Sequence, residues 1–117
     1  MTEALDTSSP RHPAGFREVE PRTALVHLGS VRIVDVREPH EFTGDLGHIR
    51  GAELVPLNSV GGAASRWARD EALLLVCRSG GRSGRAAAAL AQAGFTKVYN
   101  LNGGMLAWND AGLPVER

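Results

Sequence analysis

Leu73–Ser83 reads LLLVCRSGGRS. Four apolar residues run into Cys77, the single cysteine of the chain, and a short loop follows with two adjacent glycines between arginines. Beyond it, Gly84–Ala93 is alanine-rich and of high helical propensity. The stretch predicts a buried strand, a tight turn and a helix N-terminus. Its unbroken apolar run is that of a strand covered on both faces, as in a parallel sheet. Such a turn directs backbone N–H groups inward, and the helix adds partial positive charge at the same point. Arg78, Arg82 and Arg85 add full charges. A thiol at the mouth of that cradle is acidified, because N–H donors and opposite charge favour the thiolate, which is the nucleophilic form. A lone cysteine closing an apolar run is often only a small buried hydrophobe. Here Gly80 and Gly81, costly unless the backbone needs unusual dihedrals or close approach, and two arginines, poor core material, favour a nucleophile in an anion-binding loop.

Outward from the loop, strands and helices alternate. Residues 1–15 are rich in Ser, Thr, Pro and Gly and read as a loose tail, with His12 solvated. Residues 16–117 read as the folded domain. Phe16–Val19 is a short edge strand, and Pro21 opens a helix whose apolar face is Ala24, Leu25 and Leu28, with His27 on its polar side. Val31–Val36 is a β-branched strand. Asp35 falls near its C-terminal end, the edge at which open parallel sheets bind ligands. Asp35 either orients the neighbouring loop by accepting N–H and arginine hydrogen bonds or simply caps it. Glu38–Thr43 is a short helix opened by Pro39, Ala52–Val55 a short strand, and Ser59–Ala68 a helix weakened by Gly61 and Gly62, with Trp67 packing it on the sheet. The helix after the loop runs Ser83–Ala93, closed by Gly94 with Phe95 as its hydrophobic contact. Lys97–Leu101 is the last strand and Met105–Asp110 the last helix. This order predicts an α/β fold with a mainly parallel sheet.

At 117 residues the chain suffices for one core. Formal net charge is zero, so no global field draws it to nucleic acid or an anionic membrane. Positive charge is nonetheless concentrated: no acidic residue falls between Glu71 and Asp110, while Arg78, Arg82, Arg85 and Lys97 do. That suits a small anionic substrate. One cysteine excludes an internal disulfide and leaves no resolving thiol in the chain. No apolar run is long enough to cross a bilayer and no signal-peptide core is evident, so the expected location is the cytoplasm.

Four segments, in order, carry a resemblance: DVRE at Asp35–Glu38, GHIRGA at Gly47–Ala52, CRSGGRS at Cys77–Ser83, and NLNGGMLAW at Asn100–Trp108. Together they resemble a single-domain rhodanese, a sulfurtransferase. The resemblance implies a three-layer fold with a five-stranded, mainly parallel sheet between helices. It implies that Cys77 takes a sulfane sulfur from a small anionic donor such as thiosulfate, holds it as a persulfide, and yields it to a thiophilic acceptor. That acceptor comes from outside: cyanide in the laboratory, or a small thiol, a dithiol protein or another sulfur-requiring enzyme. No metal or organic cofactor is implied. Arg78, Ser79, Gly80, Gly81, Arg82 and Ser83 would form the persulfide-binding loop. Gly103 and Gly104 match a packing motif, and Arg37 and Glu41 fall where the family often has an ion pair near the site. The related dual-specificity phosphatases have a loop one residue longer, with arginine at the sixth position after cysteine. Arg82 is the fifth residue after Cys77, which favours a ring sized for one sulfur over one sized for phosphate. The rival readings are a weakly catalytic relay or regulatory module and, behind it, a phosphatase-like enzyme. His40 and His48 are expected at structural or rim positions.

Overall fold

Strands and helices alternate along the computed structural model, which describes residues 9–117. Strand β1 (Arg17–Val19) is followed by α1 (Pro21–Val26) and a 3-10 turn, Leu28–Ser30. Next come β2 (Arg32–Asp35), α2 (Pro39–Phe42), β3 (Glu53–Leu54), a second 3-10 turn at Leu57–Ser59 and α3 (Val60–Ala64). The chain then forms β4 (Leu73–Val76), α4 (Gly81–Gln92), β5 (Val98–Leu101) and α5 (Gly104–Asp110). The five strands form one sheet in the order β1-β5-β4-β2-β3, every pairing parallel. All the strands therefore end on one edge, where the loops that carry chemistry collect.

Helices cover both faces, and the alternation of β4 shows how. Leu73 and Leu75 pack with Val60, Ala86, Ala87, Leu90 and Phe95 under α3 and α4. Leu74 and Val76 face the other way, into Val19, Ile33, Met105 and Trp108 beneath α1 and α5. Side chains two apart share a face, so Cys77 continues the row of Leu73 and Leu75 and lies on the α4 side. Alanines at 86 and 87 let α4 sit close to the sheet. Trp67 is buried against the same face, as its sequence position suggests.

The elements differ from the sequence reading where glycine or burial intervenes. The helix expected over 59–68 is a 3-10 turn and a five-residue helix, because Gly61 and Gly62 offer no side chain to pack and the chain then turns Trp67 inward. Helix α4 begins at Gly81, two residues ahead of Ser83, so part of the loop is already helical. Of the stretch expected to form a loose tail, residues 1–8 lie outside the described residues. Residues 9–15 fold back on β1: the Glu18 N–H donates to Pro10 O (3.1 Å) and the His12 N–H to Phe16 O (2.7 Å). The His12 ring stacks on Phe16 at 4.3 Å and its Nδ1 accepts the Ala14 N–H, so this histidine is exposed but not idle.

Candidate active site

Cys77 follows the last residue of β4 and points at the start of α4. Gly80 is the N-cap of that helix and adopts φ +101°, a conformation that glycine enters without a Cβ penalty. This turn directs the Gly80 N–H at Cys77 Sγ, 3.1 Å away. The Ser83 hydroxyl lies 3.3 Å from the same sulfur. Burial pushes the thiol up, but the Ser83 hydroxyl and the N–H groups of Ser83, Gly80 and Ser79 together outweigh it, so Cys77 titrates below an ordinary cysteine. The residue is 1% exposed: the sulfur sits on the floor of the collar, with Arg78, Ser79 and Gly81 exposed around the rim.

The collar faces inward because its carbonyls are tied outward. The Met105 N–H donates to Cys77 O (2.9 Å) and the Leu106 N–H to Arg78 O (3.0 Å), both from the first turn of α5. Gly104, at φ +59°, allows that approach; a Cβ there would lie 2.6 Å from the carbonyl carbon and oxygen of Arg78 and from Cys77 O. Of the glycine pair read as a packing motif, Gly104 thus gives the α5 N–H groups access to the loop's carbonyls.

The charged side chains pair differently from the arrangement the resemblance implied. Arg37 does not meet the Glu41 carboxylate. Its Nε and Nη2 donate to both oxygens of Asp35 (2.9 and 2.8 Å), and its remaining bonds go to the carbonyls of Gly47 and Glu41. Asp35, fully buried, also accepts the Arg37 N–H, so it caps its loop and orients an arginine at once. The carboxylate of Glu41 instead takes both terminal nitrogens of Arg82, each at 2.8 Å. The Arg82 guanidinium, with help from the Glu38 N–H and against burial, lowers Glu41 from its ordinary 4.5 to about 2. The result is an ion pair joining α4 to α2 across the loop.

Beside it opens a cleft of about 340 Å³ lined by Arg37, His40, Glu41, Asp45 and Arg78. This places His40 on the rim. His48 is structural: its ring stacks on Phe42 at 3.8 Å and its Nδ1 is 2.8 Å from Phe42 O. A separate apolar groove of about 350 Å³ between α3 and α4 is lined by none of the residues from Cys77 to Ser83. Two further residues reach the site unannounced. Asn100 of β5 is buried and bonded to Ser83, and Glu18 of β1 accepts from Asn100 Nδ2 at 3.1 Å. The signal was available: Val98 packs on the Cys77 face, so alternation puts Asn100 there too, a polar side chain at a core position.

The model of the rhodanese-like domain matches residues 21–111. The chain belongs to that family. Among curated relatives of this rhodanese-like protein, YqhL of Bacillus subtilis, itself uncharacterized, is 43% identical over 77 residues, which are 66% of this chain and 60% of that protein. The chain thus spans about three-fifths of that relative. The thiosulfate sulfurtransferase GlpE of Stutzerimonas stutzeri is 36% identical over 95 residues, covering 80% of this chain and 84% of GlpE. Among solved structures, the rhodanese-related protein of Thermoplasma volcanium superposes with a TM-score of 0.76 at 25% identity, over 85% of this chain and 96% of that one.

Proposed function

We propose that this rhodanese-like protein is a sulfurtransferase that carries sulfane sulfur on Cys77. The observation behind the reading is the collar: the Gly80 N–H directed at Sγ within 3.1 Å, joined by those of Ser79 and Ser83. In the loading step the Cys77 thiolate attacks the outer sulfur of thiosulfate. The donor's S–S bond breaks, sulfite leaves with its electron pair, and a new S–S bond leaves the negative charge on the outer sulfur. The acidified Cys77 thiol supplies the thiolate directly, so the fraction already ionised attacks without a general base. That outer sulfur stands about 2 Å beyond Sγ, where inward N–H groups stabilise an anion. An external thiol or cyanide then attacks it and Cys77 leaves as thiolate. The chain has no second cysteine for this step. The lone free thiol suits the reducing cytoplasm, and no helix among the described residues is long and apolar enough to cross a membrane.

Two features weigh against phosphate chemistry. Arg82 falls one position short of the phosphatase spacing, and both of its terminal nitrogens are engaged by Glu41. The 1% exposure of Cys77 supports a second reading, a carrier that loads slowly and delivers its sulfur to a docked partner. Incubation with thiosulfate followed by intact-mass measurement tests all three. The expected result is a gain of one sulfur atom, lost in Cys77→Ser and removed by cyanide. A stable persulfide that cyanide discharges only slowly identifies the carrier. No gain, with hydrolysis of an aryl phosphate, overturns sulfur transfer.

A further inference from the structure

Ser83 has one hydroxyl proton and three neighbours that could receive it. The Oγ lies 2.5 Å from Asn100 Oδ1, 3.3 Å from Cys77 Sγ and 3.4 Å from Gly80 O. The orientation of the Asn100 amide is dictated by its other end. Its Nδ2 faces Glu18 Oε1 at 3.1 Å and Gly80 O at 3.2 Å, both acceptors, so reversing the amide would set oxygen against oxygen twice. Oδ1 therefore faces Ser83, and two oxygens at 2.5 Å need a proton between them. Only Ser83 has one to give. With its proton on Asn100 the hydroxyl presents a lone pair to Cys77, which suits S–H; turned to the sulfur 3.3 Å away, it becomes the donor that acidifies the thiol.

We propose that Asn100 is a positioning residue for Cys77: by holding the single proton of Ser83 it withholds a donor from the sulfur and sets the fraction present as thiolate. The N–H groups favour the Cys77 thiolate in either case, but the hydroxyl adds its donor only when Ser83 leaves Asn100 and turns to the sulfur. In the persulfide the inner sulfur carries neither proton nor charge, so Ser83 stays on Asn100 and nothing is given up. Asn100 thus raises the energy of the free thiolate without raising that of the loaded state, which makes the thiolate a better attacking group and a poorer leaving group. The strands place the parts: Glu18 and Asn100 are register partners, as are Asn100 and Leu75, so all three share the face on which Cys77 lies.

The charged groups around this pair come from four elements. Arg82 of α4 feels the Cys77 charge and is held by Glu41 of α2. Asp35 of β2 lies within reach of Arg82 and is closed by Arg37. On the far side, Glu18 of β1 is raised by burial, against the Asn100 bond and nearby His12, with Glu20 adding a like charge.

The inference rests on Cys77 being the reactive group proposed above, but its test uses no sulfur donor, so failure here and failure of sulfur transfer are separate results. Thiolate absorbance is followed against pH in the full chain. Asn100→Ala frees the Ser83 proton for the sulfur, and the midpoint should fall by about one pH unit, a tenfold gain in thiolate below it. Ser83→Ala should raise the midpoint, and adding Asn100→Ala to it should then move nothing. If the alanine variant does not fold, Asn100→Val, better suited to a strand, makes the same test. A midpoint unmoved or raised in the folded Asn100 variant, or a fall that persists without the Ser83 hydroxyl, overturns the proposal.

Discussion

Arg82 and Glu41 are separated by 41 positions and meet with two bonds of 2.8 Å. Because Arg82 also feels the charge of Cys77, the two members of the pair act oppositely on the thiol. Glu41→Gln leaves the arginine uncompensated and should speed alkylation of Cys77 near neutral pH by about threefold, whereas Arg82→Ala should slow it by a similar factor. Equal effects in the same direction would show that the pair acts on loop structure and not through charge. The pair also links stability to pH. The folded carboxyl of Glu41, at about 2, lies below the ordinary 4.5 expected of the unfolded chain. Its contribution is therefore whole above that ordinary value and drains away as pH falls through about 2. Water screens one side of the pair, so the contribution at neutral pH is about 1 kcal/mol. Urea unfolding of wild type and Glu41→Gln should show that gap at pH 7 and a shrinking one in acid; a gap that is constant with pH would mean the loss is one of packing.

At the scale of elements, the active loop is clamped between two helices of opposite use: the start of α4 offers N–H groups to the sulfur, and the start of α5 takes up the carbonyls behind it. Gly104→Ala tests the clamp. The new Cβ would meet three backbone atoms at 2.6 Å, in a conformation hostile to L-residues, and backbone does not step aside. A loss of about 2–4 kcal/mol in unfolding free energy is expected, together with a rise in the Cys77 midpoint as the collar loosens. An unshifted denaturation midpoint would show that α5 does not press on the loop. How much of this was legible in the chain divides along the same line. Strand β4 follows its expected bounds because four large apolar residues run straight into Cys77 and its glycine-rich turn. The other strands fall within a residue or two of theirs, and the fold class follows from their alternation with helices. Cys77 and its loop were legible because glycine and arginine contradict a core reading. The partners of Arg37, Glu41 and Asn100 were not, since side-chain pairing between strands or helices depends on sheet order, which local pattern does not encode. Nor was the early start of α4, which depends on Gly80 turning left-handed ahead of weak helix formers.

Across the whole molecule, balanced formal charge hides an uneven surface. Arg37 is spent on Asp35 and Arg82 on Glu41, so the cations at the loop are not equally available to a donor. Arg78 differs. It is exposed on the rim of the loop, lines the cleft beside it, and has no acidic partner among the described residues. A dianion approaching Cys77 meets that charge, and attraction between exposed charges fades over a Debye length of about 8 Å at physiological salt. Loading by thiosulfate should therefore slow as ionic strength rises, and Arg78→Gln should both reduce the rate several-fold at low salt and flatten that dependence. The thiolate midpoint should stay put in this variant, because the Arg78 side chain is not among the groups that hold the sulfur. Those two readouts separate capture of the donor from activation of the nucleophile. Loading that keeps its full salt dependence without Arg78 would place the attraction elsewhere, on Arg85 or the remaining cations of the acid-free stretch, and would remove the cleft as the donor's route to Cys77.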